Sequence, residues 1–233
     1  MKITWIGQAG LLLQTEKTTV IIDPYLSDSV VKVNPNNWRR VPVDESLFDI
    51  KPDVMVFTHN HLDHYDPETA PRFIGEHSAM TVLAPSTVWN EVRKLGGKNN
   101  YVLFDRHTLW THEDISFYAV KAQHSDVSAI GVIIRCEGKT YYVAGDTLYS
   151  TEIFLDLPQD IDVAFLPVNG VGNNMNMVDA AAFAKKIGAK VVVPMHVGMV
   201  DEIDPATFPL ENQVVPQLYK EIALYYKKPS YDL

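Results

Sequence analysis

The chain has 233 residues, of which 46% are hydrophobic and 21% are charged, and its formal net charge is −9. This balance is typical of a globular protein, and the acidic charge disfavours binding to nucleic-acid backbones. Cys136 is the only cysteine, so no disulfide can form within the chain, and no apolar run approaches the length of a membrane-spanning helix. No signal-peptide pattern opens the chain, so we expect a cytoplasmic protein. The expected partner is a small-molecule substrate, not nucleic acid or a membrane, and formation of a homo-oligomer stays open.

Short apolar runs separated by turn residues recur along the chain and are typical of β-strands. Strands are predicted, in chain order, at residues 2–6, 10–15, 18–22, 53–58, 80–84, 115–123, 129–136, 139–144, 162–168 and 190–194. Glu137 and Gly138 predict a hairpin turn between two of these strands.

Three helices are predicted, two of them from capping residues and apolar spacing. Ser86 caps the first, which extends to Leu95, and Asn176 caps the second, which ends before Gly188. A third helix is predicted over residues 211–227. The second helix lies between two predicted strands, which indicates a βαβ unit.

These elements indicate a mixed α/β chain, and no Ser/Gly/Pro-rich linker divides it. A single domain is therefore predicted over residues 1–233. The longest irregular stretch, residues 24–48, is typical of a lid or binding loop. Arg39 and Arg40 in this stretch could bind a phosphate or carboxylate, but solvent-exposed surface is the favoured interpretation for them.

The strongest functional signal is a cluster of metal-ligand side chains directly after the predicted strand at 53–58. Its members lie within six residues: His59, His61, Asp63 and His64. Imidazole and carboxylate are the ligands that suit Zn²⁺ and similar divalent ions. His59 and His61 point the same way in an extended segment and can share one ion, whereas Asp63 and His64 can face a second. Helix capping is the alternative, but a cap needs one such residue rather than four.

Three further polar residues follow predicted strands in the same way: His124, Asp146 and His196. Taken alone, each is typical of a turn. Together with the cluster at 59–64, they place polar groups at the exits of four buried strands. Mixed α/β proteins form their sites at such sheet edges, so the sequence predicts one metal site there.

The order His-x-His-x-Asp-His, then His, Asp and His, resembles the metallo-β-lactamase superfamily from residue 22 to residue 196. The resemblance implies a four-layer αββα sandwich that holds two divalent metal ions, Zn²⁺ or Mn²⁺, between the sheet edges. It implies two ligand sets joined by a bridging Asp146: His59, His61 and His124 for one ion, and Asp63, His64 and His196 for the other. It also suggests that Asp63 orients the attacking hydroxide and moves a proton.

One departure from the family is visible in the first hairpin. Many relatives carry a histidine where this chain has Gln8. The departure puts an extra imidazole in the hairpin in doubt but replaces none of the seven implied ligands.

A finer similarity concerns the stretches 145–150 and 169–173, which resemble the L-ascorbate-6-phosphate lactonase-like hydrolases. The loop 169–176 is rich in asparagine and can offer amide donors and acceptors to a polar ligand. Asn169 and Asn173 are therefore candidate substrate-binding residues, although glycine and asparagine also suit a simple turn. The predicted substrate is a small polar ester or sugar-acid lactone, phosphorylated or not.

The predicted activity is that of a metal-dependent hydrolase of the lactonase or esterase kind. A water that bridges two ions has its pKa lowered from 15.7 to about 7, so its hydroxide can attack without a protein nucleophile. A metallo-phosphodiesterase acting on a small nucleotide is the alternative, which the acidic charge disfavours. A metal-containing binding protein without turnover is disfavoured by the complete ligand set. A diiron redox role is disfavoured because that branch typically carries glutamate in place of His61.

Overall fold

The computed structural model describes residues 1–224, and within them twelve strands form two six-stranded sheets. The first sheet contains, in order, β1 (Lys2–Gly7), β2 (Gly10–Gln14), β3 (Thr19–Ile22), β4 (Val54–Val56), β5 (Thr81–Ala84) and β6 (Asn100–Leu103). Its first three strands are antiparallel, whereas β3 to β6 run parallel.

The second sheet contains β7 (Leu109–His112), β8 (Ile115–Lys121), β9 (Ile130–Cys136), β10 (Lys139–Val143), β11 (Val163–Pro167) and β12 (Val191–Met195), again in chain order across the sheet. Its first four strands form an antiparallel meander, and β10 to β12 run parallel. Parallel neighbours direct their carboxyl ends to the same edge, which is where a site can form.

The helices are short. They are α1 (Ala70–Phe73), α2 (Ser86–Val92) and α3 (Met177–Ile187), with 3-10 turns at Ser29–Lys32, Glu45–Asp49, Arg93–Leu95, Thr151–Leu155 and Pro205–Thr207. Over residues 1–224, none of the helices has the length and apolar character needed to cross a membrane.

The two sheets pack face to face, because alternate residues of their strands point to opposite sides. In β11, Val163 and Phe165 enter the core shared by both sheets, whereas Ala164 faces the outer side. The outer face of the second sheet is covered by α3, and that of the first by α1 and α2. The predicted αββα sandwich is therefore confirmed.

All ten strands predicted from the sequence are present, and the turn at Glu137 and Gly138 joins β9 to β10 with positive φ at both residues. The strands β6 and β7 were missed by the pattern of apolar residues. Each lies at one edge of its sheet, and their residues are largely exposed, as with Leu109 at 64%. Edge strands of this kind lack the buried apolar run that marks an inner strand.

The cap of α3 is confirmed, because the Asn176 side chain accepts hydrogen bonds from two backbone amides, and Gly188 adopts a left-handed conformation after the helix. The cap predicted for α2 is wrong. Pro85 holds the capping position, and the amide of Ser86 donates instead to Asp105 Oδ1 at 2.8 Å.

The third predicted helix is wrong over residues 211–224, and residues 225–227 lie outside the described part of the chain. Pro216 has no amide hydrogen and disfavours a helix at its middle. The segment instead pairs with exposed strand edges: Val214 N donates to Val192 O of β12, and Ile222 N donates to Ile3 O of β1, both at 2.8 Å. It thereby covers one edge of each sheet.

Candidate metal centre

Four chain segments that leave buried strands meet at one end of the sandwich. The loop after β4 carries four of the predicted ligands, and the exits of β8, β10 and β12 carry one each. The backbone turns sharply at these exits, and φ is positive at His196 (64°) and at Asp23 (43°), which follows β3. Such non-glycine conformations cost about 1–3 kcal/mol and persist where the surrounding structure fixes them.

The seven predicted ligands fall into two groups. Within each group, the ligand atoms all lie within 4.8 Å of one another. The first group is His59, His61, His124 and Asp146, and the second is Asp63, His64 and His196. Asp146 also reaches the second group, because its Oδ1 lies 3.1 Å from His64 Nε2 and 3.2 Å from His196 Nε2. The structure thus brings all seven together, with Asp146 between the groups.

Inner nitrogens of the histidines also lie close to one another. His124 Nε2 lies 3.1 Å from His61 Nδ1, and His64 Nε2 lies 3.2 Å from His196 Nε2. His59 Nε2 is buried and has no hydrogen-bond partner among residues 1–224. Converging lone pairs and an orphaned buried nitrogen are what a cation would satisfy, so these residues fit divalent metal ions.

The outer nitrogen of His64 is held by a carboxylate that the sequence interpretation gave no role. His64 Nδ1 lies 2.8 Å from Asp23 Oδ2, and Asp23 also accepts hydrogen bonds from the amide and hydroxyl of Thr58. A carboxylate behind a ligating histidine fixes the orientation of the ring and its protonated nitrogen. The signal for Asp23 was present, since it follows an apolar strand in the same way as the predicted ligands.

The three histidines of the first group also have oxygen atoms near their outer nitrogens. Thr58 Oγ1 lies 3.1 Å from His59 Nδ1, and Ser125 Oγ lies 3.4 Å from His61 Nε2. The backbone oxygen of Asn173 lies 3.3 Å from His124 Nδ1. These contacts leave the inner nitrogens of all three rings free to act as ligands.

Burial and charge act against each other on the carboxylates. Burial opposes ionisation of Asp63 and Asp146, but the imidazoles of His196 and His64 outweigh it and hold the pKa of both carboxyl groups below its usual range. Burial would lower the pKa of His64, yet the carboxylates of Asp146 and Asp23 raise it well above the usual value. For His59, burial dominates and lowers the pKa. The site therefore presents ionised carboxylates to any cation.

Gln8 is a second residue that the sequence interpretation did not connect with the ligands. Its Nε2 donates to Asp63 Oδ2 at 2.9 Å and lies 3.3 Å from His196 Nδ1, and its backbone oxygen accepts from the amide of His196. The residue is buried and adopts a positive φ of 49°. The departure at Gln8 thus replaces no predicted ligand but contacts two of them, which only the folded arrangement reveals.

A cleft of about 490 Å³ opens over the ligands. The predicted binding loop 24–48 forms part of its wall through Val30, Asn34 and Asn37. The loop after β11 also contributes to the lining, through residues that include Asn169 and Val171. The long loop therefore lies where a binding loop must lie.

The arginines of that loop lie elsewhere. Arg39 is buried, contrary to the expectation of solvated surface, and its guanidinium donates to the backbone oxygens of Tyr25 and Val41 and to the Tyr219 hydroxyl. Arg40 forms an ion pair with Glu202 at 2.6 Å. Both side chains hold the loop to the rest of the fold and do not line the cleft.

The two candidate substrate-binding asparagines are placed differently. Asn169 lines the cleft, and its Nδ2 lies 3.0 Å from His196 Nδ1. Asn173 is exposed and contacts His124 through its backbone oxygen. Asn174, which the sequence did not single out, is buried and donates from Nδ2 to Asp146 Oδ2 at 2.8 Å. Adjacent asparagines in one loop thus have distinct roles that composition cannot separate.

Comparisons with known proteins agree with this geometry. A family model described as a β-lactamase superfamily domain matches residues 2–196. A UPF0173 metal-dependent hydrolase of Geobacillus thermodenitrificans is 31% identical, with 89% of this chain and 91% of the relative covered. Another, from Ligilactobacillus salivarius, is 30% identical, with 95% and 93% covered. The structure of a metallo hydrolase from Ignicoccus hospitalis superposes with a TM-score of 0.73 at 22% identity, covering 95% of this chain and 97% of that one.

Proposed function

Since the chain belongs to the metallo-β-lactamase superfamily, among its UPF0173 metal-dependent hydrolases, we propose that it hydrolyses a small, uncharged ester or sugar-acid lactone. The metal-ligand cluster supports hydrolysis but does not determine the substrate, because a water activated at such a centre can attack a carbon or a phosphorus atom. The choice depends on the side chains around the cluster. The bond cleaved would then be of the same kind as in the lactonase-like branch, but the substrate would carry no phosphate group.

The two ligand groups are proposed to hold two divalent ions, Zn²⁺ or Mn²⁺. His59, His61 and His124 would bind one, Asp63, His64 and His196 the other, and Asp146 would contact both. When bound, such ions polarise the attacked oxygen and lower the pKa of a water to about 7. His59 Nε2, buried without a hydrogen-bond partner among the described residues, supports this assignment from the protein side.

Asp63 is proposed to orient the attacking water and to accept its proton. Its carboxylate lines the cleft and contacts its neighbours, since Oδ2 lies 2.9 Å from Gln8 Nε2 and 3.1 Å from His196 Nε2. These contacts fix the carboxylate in one orientation. Although burial opposes it, the hydrogen bond from His196 holds the pKa of Asp63 below its usual range, so the carboxylate is ionised at neutral pH and can accept a hydrogen bond from the water.

The lining of the cleft is the single observation that carries the substrate class. Among the described residues, those lining it include the carboxamides of Asn34 and Asn37 and the carboxylate of Asp201, but neither lysine nor arginine. Carboxamides recognise hydroxyl and carbonyl groups, whereas a phosphate group is usually met by cationic side chains. Arg39 and Arg40, the nearest sequence candidates, are engaged elsewhere. This supports an uncharged substrate over a phosphorylated lactone or a nucleotide.

The apolar part of the lining adds a second constraint. Val30, Val171 and Val200 line the same cleft as the carboxamides. The cleft could therefore accommodate an ester or lactone whose hydroxyl groups contact the carboxamides and whose hydrocarbon portion contacts the valines.

The test compares kcat/KM of the Zn²⁺- and Mn²⁺-loaded protein for gluconolactone, its 6-phosphate and bis(p-nitrophenyl) phosphate. We expect turnover of the uncharged lactone. Its kcat/KM should exceed that of the 6-phosphate by about tenfold or more, which is equivalent to about 1.4 kcal/mol. Efficient cleavage of the phosphodiester without lactone turnover would contradict the proposal and favour the phosphodiesterase. A preference for the phosphorylated lactone would contradict only the uncharged substrate.

A pair of variants isolates the effect of charge in the cleft. Asn37→Lys places a cation on the wall and should shift selectivity toward the phosphorylated lactone by about tenfold. Asn36→Lys adds the same charge at an exposed neighbour that does not line the cleft and should leave selectivity unchanged. Equal effects of the two variants would show that overall charge, not the cleft wall, determines selectivity.

A further inference from the structure

His196 differs from the other four histidines of the centre in what lies behind its ring. Its inner atom, Nε2, lies 3.1 Å from Asp63 Oδ2 and 3.2 Å from Asp146 Oδ1. Its outer atom, Nδ1, lies 3.0 Å from one amide nitrogen, the Nδ2 of Asn169, and 3.3 Å from a second, the Nε2 of Gln8, which also donates to Asp63. The outer nitrogens of the other four rings each have an oxygen nearby: Asp23 Oδ2, Thr58 Oγ1, Ser125 Oγ and the backbone oxygen of Asn173.

This arrangement suits a neutral ring whose proton lies on Nε2. With a proton on Nε2, His196 can donate to Asp63 or Asp146, while its Nδ1 lone pair accepts from the Asn169 amide. A neutral ring that binds a metal through Nε2 must instead carry its proton on Nδ1. Two donors, Nδ1–H and the amide, would then face each other across 3.0 Å.

The side chain of Asn169 contains the acceptor that this second state needs. Its Oδ1 is buried and has no hydrogen-bond partner among the described residues. A half-turn of the planar carboxamide exchanges oxygen and nitrogen with little change in shape. The exchange brings the oxygen to Nδ1, and the nitrogen takes a position that lacked a partner before, so one unpaired group simply replaces another.

We propose that Asn169 is a positioning residue for the metal centre, whose carboxamide turns over when His196 becomes a ligand. Its nitrogen donates to Nδ1 in the metal-free protein, and its oxygen accepts from Nδ1–H in the metal-loaded protein. The inference rests on the proposed metal centre and adds to it the residue that fixes the His196 ring. It also gives Asn169 a role distinct from direct contact with substrate.

Zn²⁺ titration of the metal-free chain by calorimetry tests the proposal without an activity assay. Asn169→Ala removes the acceptor and should weaken binding of one ion by about 10–100-fold, as is usual for partners behind a ligating histidine. Asn169→Asp keeps an oxygen at this position and cannot donate from its carboxylate, so its affinity should stay within about threefold of the wild type or become tighter. Asn37→Asp, on the cleft wall, controls for the added charge and should change affinity less than threefold.

The protonated nitrogen of His196 gives an independent readout. In ¹⁵N-histidine NMR of the Zn²⁺-loaded wild type we expect the proton on Nδ1, protected from exchange, with protection lost in Asn169→Ala. Equal weakening by Asn169→Asp and Asn169→Ala would overturn the inference, because the nitrogen would then be the functional atom. Wild-type affinity in Asn169→Ala would overturn it too. A wild-type chain that binds no second ion would instead contradict the proposed metal centre together with the inference.

Discussion

The two halves of the candidate metal centre are built in different ways. The first sheet contributes one continuous loop, residues 59–64, with four of the seven predicted ligands. The second sheet contributes His124, Asp146 and His196 from three separate strand exits, more than 70 residues apart from first to last. One half is therefore a local feature of sequence, and the other exists only once the sheet has formed.

The residues behind the two halves of the metal centre also differ in how far they are exposed to solvent. Behind the loop 59–64 lie the buried groups of Asp23 and Thr58, both fully inaccessible to solvent. Behind the second half lies the asparagine-rich loop after β11, where Val171 is 65% exposed. The first half is therefore held by a charged, buried network, whereas the second depends on uncharged carboxamides and on one backbone oxygen of an exposed loop. Substitutions should accordingly have larger effects in the first half.

The largest effect is expected for Asp63→Asn, in the first half. The amide cannot take a proton from water, so kcat should fall by about 10²–10⁴-fold. The group of His59, His61 and His124 is unaltered and should still bind one ion, which metal analysis of the purified variant would measure. Full activity in a folded, metal-loaded variant would contradict the role of Asp63.

Asp23→Asn should have the next largest effect, because it removes the charge behind His64 while keeping the shape of the side chain. We expect metal affinity to fall by about 10–100-fold. Asp53→Asn is the matched control, since Asp53 precedes β4 and accepts from the amide of Thr19 away from the ligands. If both variants bind Zn²⁺ equally, the buried carboxylate does not support the site.

A carboxylate directly after the 3-10 turn Thr151–Leu155, which contacts no predicted ligand, gives the scale of a purely structural loss. Asp156 accepts from Arg106 through both oxygens and from the amide of Lys121. Although burial opposes it, the hydrogen bonds from Arg106 and His107 hold the pKa of Asp156 below its usual range. Asp156→Asn should lower the free energy of unfolding at pH 7 by about 2 kcal/mol and leave metal affinity unchanged.

The difference in the free energy of unfolding between the wild type and Asp156→Asn should shrink as the pH falls. Because the pKa of Asp156 is lower in the folded state, its stabilisation is fully present above the unfolded value of about 3.9 and is lost as pH falls through the folded value. Urea unfolding of wild type and Asp156→Asn should therefore converge below about pH 4. A difference that grows on acidification would show that the carboxylate is not stabilised in this way.

The smallest effect is expected for Asn173→Gly. Glycine suits the positive φ of 65° at this position, and the contact with His124 through the backbone oxygen remains. Activity and metal affinity should change by less than about twofold, well below the tenfold change that corresponds to 1.4 kcal/mol. A large loss of kcat/KM with unchanged metal affinity would restore Asn173 as a substrate-binding residue.

The sequence predicted those parts of the molecule whose signal is local. Buried strands such as β11 and β12 have continuous apolar runs, and the loop 59–64 carries its ligands side by side. The helix predicted over residues 211–227 is wrong over 211–224, because pairing with Val192 and Ile3 determines the conformation of this segment. Long-range pairing of this kind has no local signature.

The candidate site shows the same limit. Gln8 and Asn174 contact predicted ligands, but each lies far from them in sequence and has an ordinary amide side chain. The role of Asp23 could in principle be predicted from the sequence, because Asp23 follows β3 as Asp146 follows β10. Which amide contacts which ligand depends on the folded loops, so residue type alone could not distinguish Asn169, Asn173 and Asn174.

Anomalous diffraction from crystals of the Zn²⁺-loaded protein tests the joining of the two halves most directly. Two peaks are expected about 3.5–4 Å apart, one beside His59, His61 and His124 and the other beside Asp63, His64 and His196, with Asp146 within ligand distance of both. Ligand distances should be about 2.0–2.2 Å. A single peak held by the loop 59–64 alone, or His124, Asp146 and His196 outside ligand distance of every peak, would contradict the metal centre proposed for this fold.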